Sequence, residues 1–253
     1  MMSGRCVAWA TTMANTSSDT GFLLHSRPFR DTSLIADFFL RDHGRVSVLF
    51  KGVRASGKQG AKARMLQPFS PLLVRFQGRN ELRTGLQVEP AQNGFGLTGS
   101  QLYSGLYLNE LLVRLLYKEE PSIALYDYYW QALVNLQCGA LEPTLRIFEH
   151  QLLAELGYEL DLHLDSSGEP IHSQRLYLYQ PDQGFGAIAV RPRHGDFSVR
   201  CFSGAELLAI QRNEYEDNDV LKAAKRLSRL ALQPHLGDKP LRSRELFTQL
   251  RQS

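Results

Sequence analysis

Eight Lys and Arg residues and no acidic residue occupy positions 43–80, although 26 of the 253 residues in the chain are Asp or Glu. Phosphate groups attract Lys and Arg, and binding gains free energy when counterions condensed on a nucleic acid are released. The alternative is a solvated basic surface without a ligand. We favour nucleic-acid binding because acids are absent where cations are abundant. The predicted contact residues are Arg45, Lys51, Arg54, Lys58, Lys62, Arg64, Arg75 and Arg79.

The densest part of this window is KGVRASGKQGAKAR, residues 51–64, which follows the strand-like run VSVLF. It holds five cations and three glycines. Glycine tolerates backbone conformations that other residues avoid, so the segment is predicted to be a mobile loop. A mobile cationic loop suits a flexible polyanion. The bases of a single strand also need aromatic ring faces, and the nearby phenylalanines fit core positions equally well.

A second basic cluster consists of Lys222, Lys225, Arg226 and Arg229. The spacing i, i+3, i+4 and i+7 places all four on one stripe of a helix, where like charges repel one another. An anionic partner would offset that repulsion. The alternative is a solvated helix face, relieved in part by the nearby Asp217 and Asp219.

Arg146 lies in the first turn of a predicted helix, beside apolar residues. A guanidinium near the positive end of a helix would attract an incoming carboxylate, so a peptide that ends in a carboxylate is a candidate ligand. The alternative is an intramolecular salt bridge from Arg146 to Glu142 or Glu149.

The sequence offers little for catalysis, and no GxSxG elbow, P-loop or HExxH motif occurs. Cys6, Cys138 and Cys201 are far apart, which argues against a disulfide framework. His163, His172, His194 and Cys201 could supply scattered metal ligands, but surface histidines are the simpler interpretation. We therefore expect no enzyme activity, no catalytic residue, no metal and no cofactor.

Period-two alternation between residues 21 and 88 predicts five short strands. It places Val46, Val48 and Phe50 on one face, then Leu72, Val74 and Phe76. The last strand should bury Leu82, Thr84, Leu86 and Val88. Five strands in so short a segment favour a small closed barrel of the oligonucleotide-binding (OB) type. The expected fold class is α+β, an N-terminal OB-fold barrel followed by a mostly α-helical domain.

After residue 97 the pattern becomes helical. SQLYSGLYLNELLVRLLYK predicts a central buried helix, and two more helices follow, with Ser122 as an N-cap and Gly157 near the last end. Residues 160–202 have hairpin character, SGAE at 203–206 has capping-box spacing, and a final helix should stop at Gly237.

Charge divides the chain in the same way. Residues 25–90 carry twelve Lys and Arg against five Asp and Glu, a net charge of +7 in a chain of +3. We expect an extension at 1–19 that is flexible or follows a misplaced start codon, an OB domain at 20–96 and a helical domain at 97–253. The absence of any long apolar run or signal peptide favours a cytoplasmic, nucleoid-associated protein, and we expect a monomer.

Four segments resemble the bacterial DNA repair and recombination protein RecO family. They are GFLLHSRPFRDTSLIADFFLRDHGRVSVLFKGVR, LQPFSPLLVRFQGR, LYSGLYLNELLVRLL and LGDKPLRSRELF, in collinear order. The resemblance implies a recombination mediator without substrate turnover, which binds single- and double-stranded DNA and anneals complementary strands. It also implies that the protein helps load RecA onto DNA coated by single-stranded DNA-binding protein.

The implied partners are DNA, RecR, the acidic C-terminal tail of the single-stranded DNA-binding protein and, indirectly, the RecA filament. Candidate contacts for the acidic tail, or for DNA, are Arg146, Lys222, Lys225, Arg226, Arg229 and the family-like cluster Lys239, Arg242 and Arg244. Many family members carry a four-cysteine zinc module. DLHLDSSGEPIHSQRLYLYQPDQGFG occupies that region here without cysteines and resembles the zinc-free branch.

Two other functions remain open at this stage. An OB-fold RNA-binding protein of translation or RNA turnover would prefer RNA through 2′-hydroxyl contacts. A metal-dependent nuclease would shorten strands when Mg²⁺ or Mn²⁺ is present.

Overall fold

A computed structural model describes residues 16–53, 64–192 and 195–243. Five strands form a closed barrel with the strand order β1-β2-β3-β5-β4. Their bounds are β1 Thr16–Phe29, β2 Ser33–Leu40, β3 Gly44–Phe50, β4 Leu72–Gln77 and β5 Leu82–Pro90. All neighbouring pairs are antiparallel except β3 and β5, which run parallel. The barrel and the helical part that follows it confirm the predicted fold class.

Alternating side chains fill the barrel, as the sequence pattern predicts. Val46, Val48 and Phe50 of β3 are buried, and so are Leu72, Val74 and Phe76 of β4. Together with residues of β1 and β2 they form one apolar cluster. Each buried side chain removes apolar surface from water, which stabilises the fold by about 25 cal/mol per Å².

The prediction for β5 is wrong in part. Val88 is buried, but Leu82 and Leu86 are each 39% exposed. The register between β4 and β5 shifts at Arg75 and Phe76, so that Gln87 and Gly85 are paired in succession and Leu86 is passed over. Such a bulge shifts the alternation of side chains by one residue, so that residues on one side of it face the opposite way from the one predicted. Gly85 faces inward instead. A Cβ there would lie 2.4 Å from the ring of Phe50, so the position has room only for glycine.

Strand β1 begins at Thr16, ahead of the position near Thr20 expected from sequence, because residues 16–21 pair with β4. Asp19 is only 5% exposed, and its carboxylate accepts a hydrogen bond from the backbone N–H of Asp42 at 2.9 Å. The same carboxylate lies 2.7 Å from Nδ1 of His43. Asp19 thereby ties the start of the barrel to the β2–β3 turn.

The helical part begins with three long helices, α1 Gly99–Leu115, α2 Ile123–Gln137 and α3 Leu141–Glu155. The Ser122 hydroxyl accepts from the Leu125 backbone N–H at the start of α2, which confirms the predicted N-cap. Gly157 follows α3 with a φ of +82°, which suits glycine after a helix end.

The second half of the helical part is mixed. Strands β6 Leu176–Gln180 and β7 Gly184–Ile188 form the expected hairpin, and β8 Cys201–Ser203 pairs with the other side of β6. A short helix, α4 Asp196–Val199, lies within residues 160–202, for which only hairpin character was predicted. Helices α5 Gly204–Gln211 and α6 Asn218–Leu236 follow. The capping box of Ser203 and Glu206 is confirmed, and α6 ends at Gly237 as predicted.

The outer face of β1 and β2 is covered by the helices. Phe22, Leu24 and Phe39 belong to the core of the helical part, and the Phe22 ring meets the Tyr129 ring edge-on at 5.1 Å. The Asn109 side chain of α1 donates hydrogen bonds to the carbonyls of Leu23 and Leu24. The barrel therefore offers its β3, β4 and β5 sides, and its loops, to other molecules.

Candidate nucleic-acid interface

Four of the predicted contact residues are exposed on the barrel: Lys51, Arg64, Arg75 and Arg79. Lys51 follows the last residue of β3, Arg75 points outward from the middle of β4, and Arg79 lies in the β4–β5 loop. Arg64 lies between β3 and β4, eight residues before β4 begins. Arg54, Lys58 and Lys62 lie outside the described residues. Among the residues that the structure describes, no acid forms an ion pair with these four cations.

Register places Lys51 and Arg79 toward opposite ends of the barrel. Phe50, the residue before Lys51, pairs with Leu34 at the start of β2. Arg79 lies past Gln77, which pairs with Thr16 at the start of β1, so it stands at the opposite end. β3 has 7 residues and β4 has 6. At about 3.3 Å per residue, strands of this length separate the two ends of the barrel by roughly 20 Å. A ligand that touches both must be extended.

Arg45 is placed differently from the other cations. Its Nε donates to the carbonyl of Leu116 at 3.0 Å, and its own carbonyl accepts from the Glu119 N–H. It is half-buried where β3 meets the segment after α1. Arg45 thus joins the barrel to the helical part, besides carrying charge.

The stripe on α6 divides into two pairs. Lys222 and Arg229 are exposed, although Lys222 forms an ion pair with Asp219 at 2.8 Å. Lys225 lies 2.7 Å from Glu142 of α3. Arg226 lies over the ring of Phe202 at 4.4 Å and donates to the Cys201 carbonyl at 3.1 Å. Burial lowers the pKa of Arg226, yet it remains a cation at neutral pH.

Arg146 is 3% exposed, and its Nη2 lies 2.9 Å from the carboxylate of the fully buried Glu149. Tyr107 donates to the same carboxylate at 2.5 Å. The structure therefore has the salt bridge to Glu149 that the sequence left as an alternative. Burial, and the nearby charge of Arg146, lower the pKa of His150 to about 4. Burial also raises the pKa of Tyr215 to about 12.

Buried polar atoms surround this ion pair. Arg146 Nε, His150 Nε2, the Tyr215 hydroxyl and the second Glu149 oxygen have no hydrogen-bond partner within the described part of the chain. An unpaired buried polar atom is costly, so such groups are commonly satisfied by a ligand or water. The cluster retains donors for an incoming anion.

Lys239 and Arg242 are exposed on the segment that follows α6, and Arg244 lies outside the described residues. Glu110 of α1 accepts hydrogen bonds from the backbone N–H groups of Arg242 and Ser243. These contacts hold the backbone and leave the Lys239 and Arg242 side chains directed to solvent.

Two family models match the chain in succession. Recombination protein O N terminal matches residues 13–93, and Recombination protein O C terminal matches residues 97–245. The chain belongs to the RecO family. The boundary between the two matches coincides with the passage from the barrel to α1.

Three bacterial relatives agree with this assignment. A protein of Haemophilus influenzae called DNA repair protein RecO is 46% identical over 90% of this chain and 94% of that protein. Proteins of the same name from Pectobacterium atrosepticum and Sodalis glossinidius are 47% and 46% identical over 90% of this chain, and over 91% and 86% of their own lengths. Among solved structures, an asparaginyl-tRNA synthetase of Entamoeba histolytica aligns over 71% of this chain and 41% of its own, at 16% identity and with a TM-score of only 0.27.

The segment DLHLDSSGEPIHSQRLYLYQPDQGFG, residues 161–186, contains no cysteine. His163 contacts Gln211, Asp165 accepts hydrogen bonds from the backbone N–H groups of Ser167 and Glu169, and Cys201 is buried. Within residues 16–53, 64–192 and 195–243, no group of three His, Cys, Asp or Glu side chains could hold a metal ion. His194 lies outside those ranges. In the same ranges no helix is long and apolar enough to cross a membrane.

An acidic stretch, EYEDND at 214–219, precedes α6. Paired carboxylates at such spacing could suit a metal-dependent nuclease, but three of the four acids have a local role. Glu214 pairs with Arg212 at 2.7 Å, Asp217 accepts from the Asp219 N–H at the helix start, and Asp219 pairs with Lys222. These contacts are those of a capped helix end.

The segment GFGLTG at 94–99 has the GxGxxG spacing of dinucleotide-binding loops. It follows β5 and precedes α1, but α1 leads into α2 and not into another parallel strand, as a dinucleotide-binding unit requires. Gly94 packs against Ser70, where a Cβ would lie 2.4 Å from the hydroxyl oxygen. Gly94 therefore serves the close packing of the link between barrel and helices.

Sequence reasoning missed two exposed cations, Arg27 and Arg30, in the β1–β2 hairpin. Arg30 lies 5.3 Å from the centre of the Phe29 ring and has a φ of +52°. The β1–β2 loop is one of the ligand-binding loops of OB folds. The neighbouring Asp31 hid these residues from a search for acid-free windows.

Proposed function

We propose that this chain is a DNA-binding mediator of DNA repair and homologous recombination. The observation that carries the proposal is a closed five-stranded barrel whose exposed cations Lys51, Arg64, Arg75 and Arg79 pair with none of the described acids, in a chain of the RecO family. On this proposal it binds single- and double-stranded DNA and anneals complementary strands. It also helps load RecA onto DNA coated by single-stranded DNA-binding protein.

Phosphate contacts explain how one surface serves both forms of DNA. Contacts from Lys and Arg to phosphate carry no sequence information, so binding should show little sequence preference. Annealing requires that base edges stay free while the backbone is held. An extended DNA strand that crosses the β3, β5 and β4 side of the barrel, from Lys51 past Arg75 to Arg79, meets this requirement because these cations lie on different strands and loops of that side.

The acidic tail of the single-stranded DNA-binding protein is the proposed ligand of the helical part. Lys222, Arg229, Lys239 and Arg242 are exposed and suit long-range attraction of an acidic peptide. Arg146 suits its terminal carboxylate, because Arg146 Nε and the Tyr215 hydroxyl are buried donors without a partner in the described structure. Such a carboxylate would have to enter beside Glu149, which is fully buried.

RecR and the RecA filament are proposed partners on the strength of family membership. Lys225 and Arg226 contribute less to any partner surface than their charges suggest, because Glu142 and the Phe202 ring already engage them.

The test is fluorescence-monitored annealing of two complementary strands, each precoated with single-stranded DNA-binding protein, across a salt series. We expect acceleration without a nucleotide cofactor, and we expect it to fade as salt rises because phosphate contacts release counterions. Matched RNA strands, run in competition, address the RNA-binding alternative. Folded protein that accelerates annealing at no salt concentration would contradict the proposal, and a clear preference for RNA would replace it.

A further inference from the structure

A cleft of about 620 Å³ lies between the barrel and the helical part. Arg45 and Glu81 line it on the barrel side. On the other side it is lined by residues around the ends of three helices, among them Lys118, Tyr158 and His235. Its volume lies within the range of about 300–1,000 Å³ typical of ligand pockets.

The charges around the cleft nearly balance. Helices α1, α3 and α6 all end beside it, and the C-terminal end of a helix carries about half a negative charge. Arg45, Arg114 and Lys118 oppose that charge, and Glu81 pairs with Lys118 at 2.7 Å. Arg45 donates directly to the Leu116 carbonyl at the end of α1. The interior therefore suits a neutral group better than a phosphate.

Aromatic rings provide flat surfaces at this cleft. Tyr158 stacks on His235 with ring centroids 3.8 Å apart and an interplanar angle of 26°. Tyr158 is nevertheless 47% exposed, and Tyr117, which also lines the cleft, is 68% exposed. Exposed aromatic faces of this kind bind the bases of single strands, because every base has a π face.

The cleft also lies at one end of the row of barrel cations. Arg79 is two residues before Glu81, and Arg45 is the second residue of β3, the strand that Lys51 follows. A DNA strand whose phosphates lie on the barrel thus reaches the cleft without crossing the helical part.

We infer that this cleft accepts an unstacked base of single-stranded DNA, with Tyr158 and Tyr117 as its stacking surfaces. The inference rests on the proposed DNA-binding function and adds to it a base subsite outside the barrel. A duplex would have to extrude a base to use the subsite, at a cost of unpairing and unstacking. The subsite therefore gives single strands an advantage over duplexes that phosphate contacts alone do not provide.

The test compares the full chain with Tyr158→Ala and Tyr158→Phe, using fluorescence anisotropy with a thymidine homopolymer and with a duplex. We expect Tyr158→Ala to weaken single-strand binding about ten-fold, the effect of losing one stacked base. Duplex binding should stay within about two-fold, since phosphate contacts are unchanged. Tyr158→Phe keeps the ring and should bind as the natural chain does.

Photo-crosslinking locates the base directly. A homopolymer that contains 5-iodouracil should crosslink to Tyr158 or Tyr117, as read by mass spectrometry of the peptides. Suppose that Tyr158→Ala still binds DNA with an unchanged ratio of single-strand to duplex affinity, and that no crosslink forms in the cleft. This result overturns the base subsite and leaves the proposed function intact. If Tyr158→Ala weakens the binding of an acidic peptide but not of DNA, the base subsite is overturned in favour of a protein partner. A natural chain that binds no DNA defeats the proposed function and the subsite together.

Discussion

Glu110 and Ser243 are 133 positions apart, yet the Glu110 carboxylate accepts hydrogen bonds from the Ser243 backbone N–H at 2.8 Å and from its hydroxyl at 2.7 Å. The same carboxylate accepts from the Arg242 N–H at 2.9 Å. Arg114, one turn along α1, donates to the carbonyls of Lys239 and Pro240. Two side chains of α1 therefore hold the family-like KPLRS segment against the central helix.

Glu110→Gln should lower the free energy of unfolding by about 1–3 kcal/mol, the range for hydrogen bonds to a charged group. Burial raises the pKa of Glu110, but hydrogen bonds from Ser243 and Arg242 and the charge of Arg114 outweigh it and hold that pKa below its usual value. The ionised form is therefore favoured by folding. Its contribution is present above the ordinary value of 4.5 and is lost as pH falls through the lower folded pKa. Urea unfolding at neutral pH measures the loss, with the exposed Glu89→Gln as control; equal stability of the two variants would contradict the role of Glu110.

His150 predicts a second pH dependence, at less acidic pH. Its pKa falls from 6.5 to about 4 on folding, so between these values the unfolded chain binds more protons than the folded one. Stability then rises with pH, and about 2 kcal/mol should be lost between pH 7 and pH 5. His150→Gln should flatten the dependence in urea unfolding across this interval. A slope that survives the substitution would assign the titration to another group.

The barrel was predictable because its strands bury one face, and burial leaves a period of two in the sequence. The pattern failed at β5, where Gly85 makes room for the Phe50 ring and a bulge passes over Leu86. Neither effect is encoded in the β5 residues alone, since both depend on the neighbouring strands. The helix caps at Ser122 and Ser203 were predictable because their hydrogen bonds are local.

The charged residues of the candidate sites could be predicted from the sequence, but the contacts that their side chains make could not. Helical spacing placed Lys222, Lys225, Arg226 and Arg229 on one stripe, yet whether each faces solvent depends on Glu142 of α3 and Phe202 of β8. The interdomain cleft left no signal of its own, because its residues come from five separate segments of the chain.

The double variant Arg75→Ala with Arg79→Ala should weaken DNA binding and flatten its salt dependence. Each lost phosphate contact lowers the slope of log K against log salt by about 0.7 for single strands. Anisotropy titrations across a salt series measure both quantities. Arg212→Ala, which removes one exposed charge elsewhere, should change neither. An unchanged slope in the double variant would remove β4 and its following loop from the interface.

Gly44 tests the junction between barrel and helices. It has a φ of +66°, and a Cβ there would lie 2.2 Å from the Glu120 carbonyl oxygen. Gly44→Ala should therefore cost backbone strain of about 1 kcal/mol and, in addition, displace the α1–α2 link. Gly96→Ala is the matched control, because Gly96 has a φ of +60° with nothing within 4 Å of the added Cβ. Thermal unfolding should rank Gly44→Ala well below Gly96→Ala; equal melting temperatures would mean that the link yields without cost.

Arg226 and Arg229 separate structure from binding on α6. Arg226→Ala removes a cation–π contact with Phe202 and a hydrogen bond to the Cys201 carbonyl, so it should destabilise the fold by about 1–3 kcal/mol. Arg229 is exposed, and Arg229→Ala should change stability by less than about 0.5 kcal/mol. If α6 attracts an acidic peptide, Arg229→Ala weakens that binding at low salt, and the difference disappears at high salt because exposed charges are screened. Urea unfolding and peptide anisotropy, run on both variants, distinguish the two roles. Peptide affinity that depends on Arg226 alone, after correction for the folded fraction, would instead place the anion beside Phe202.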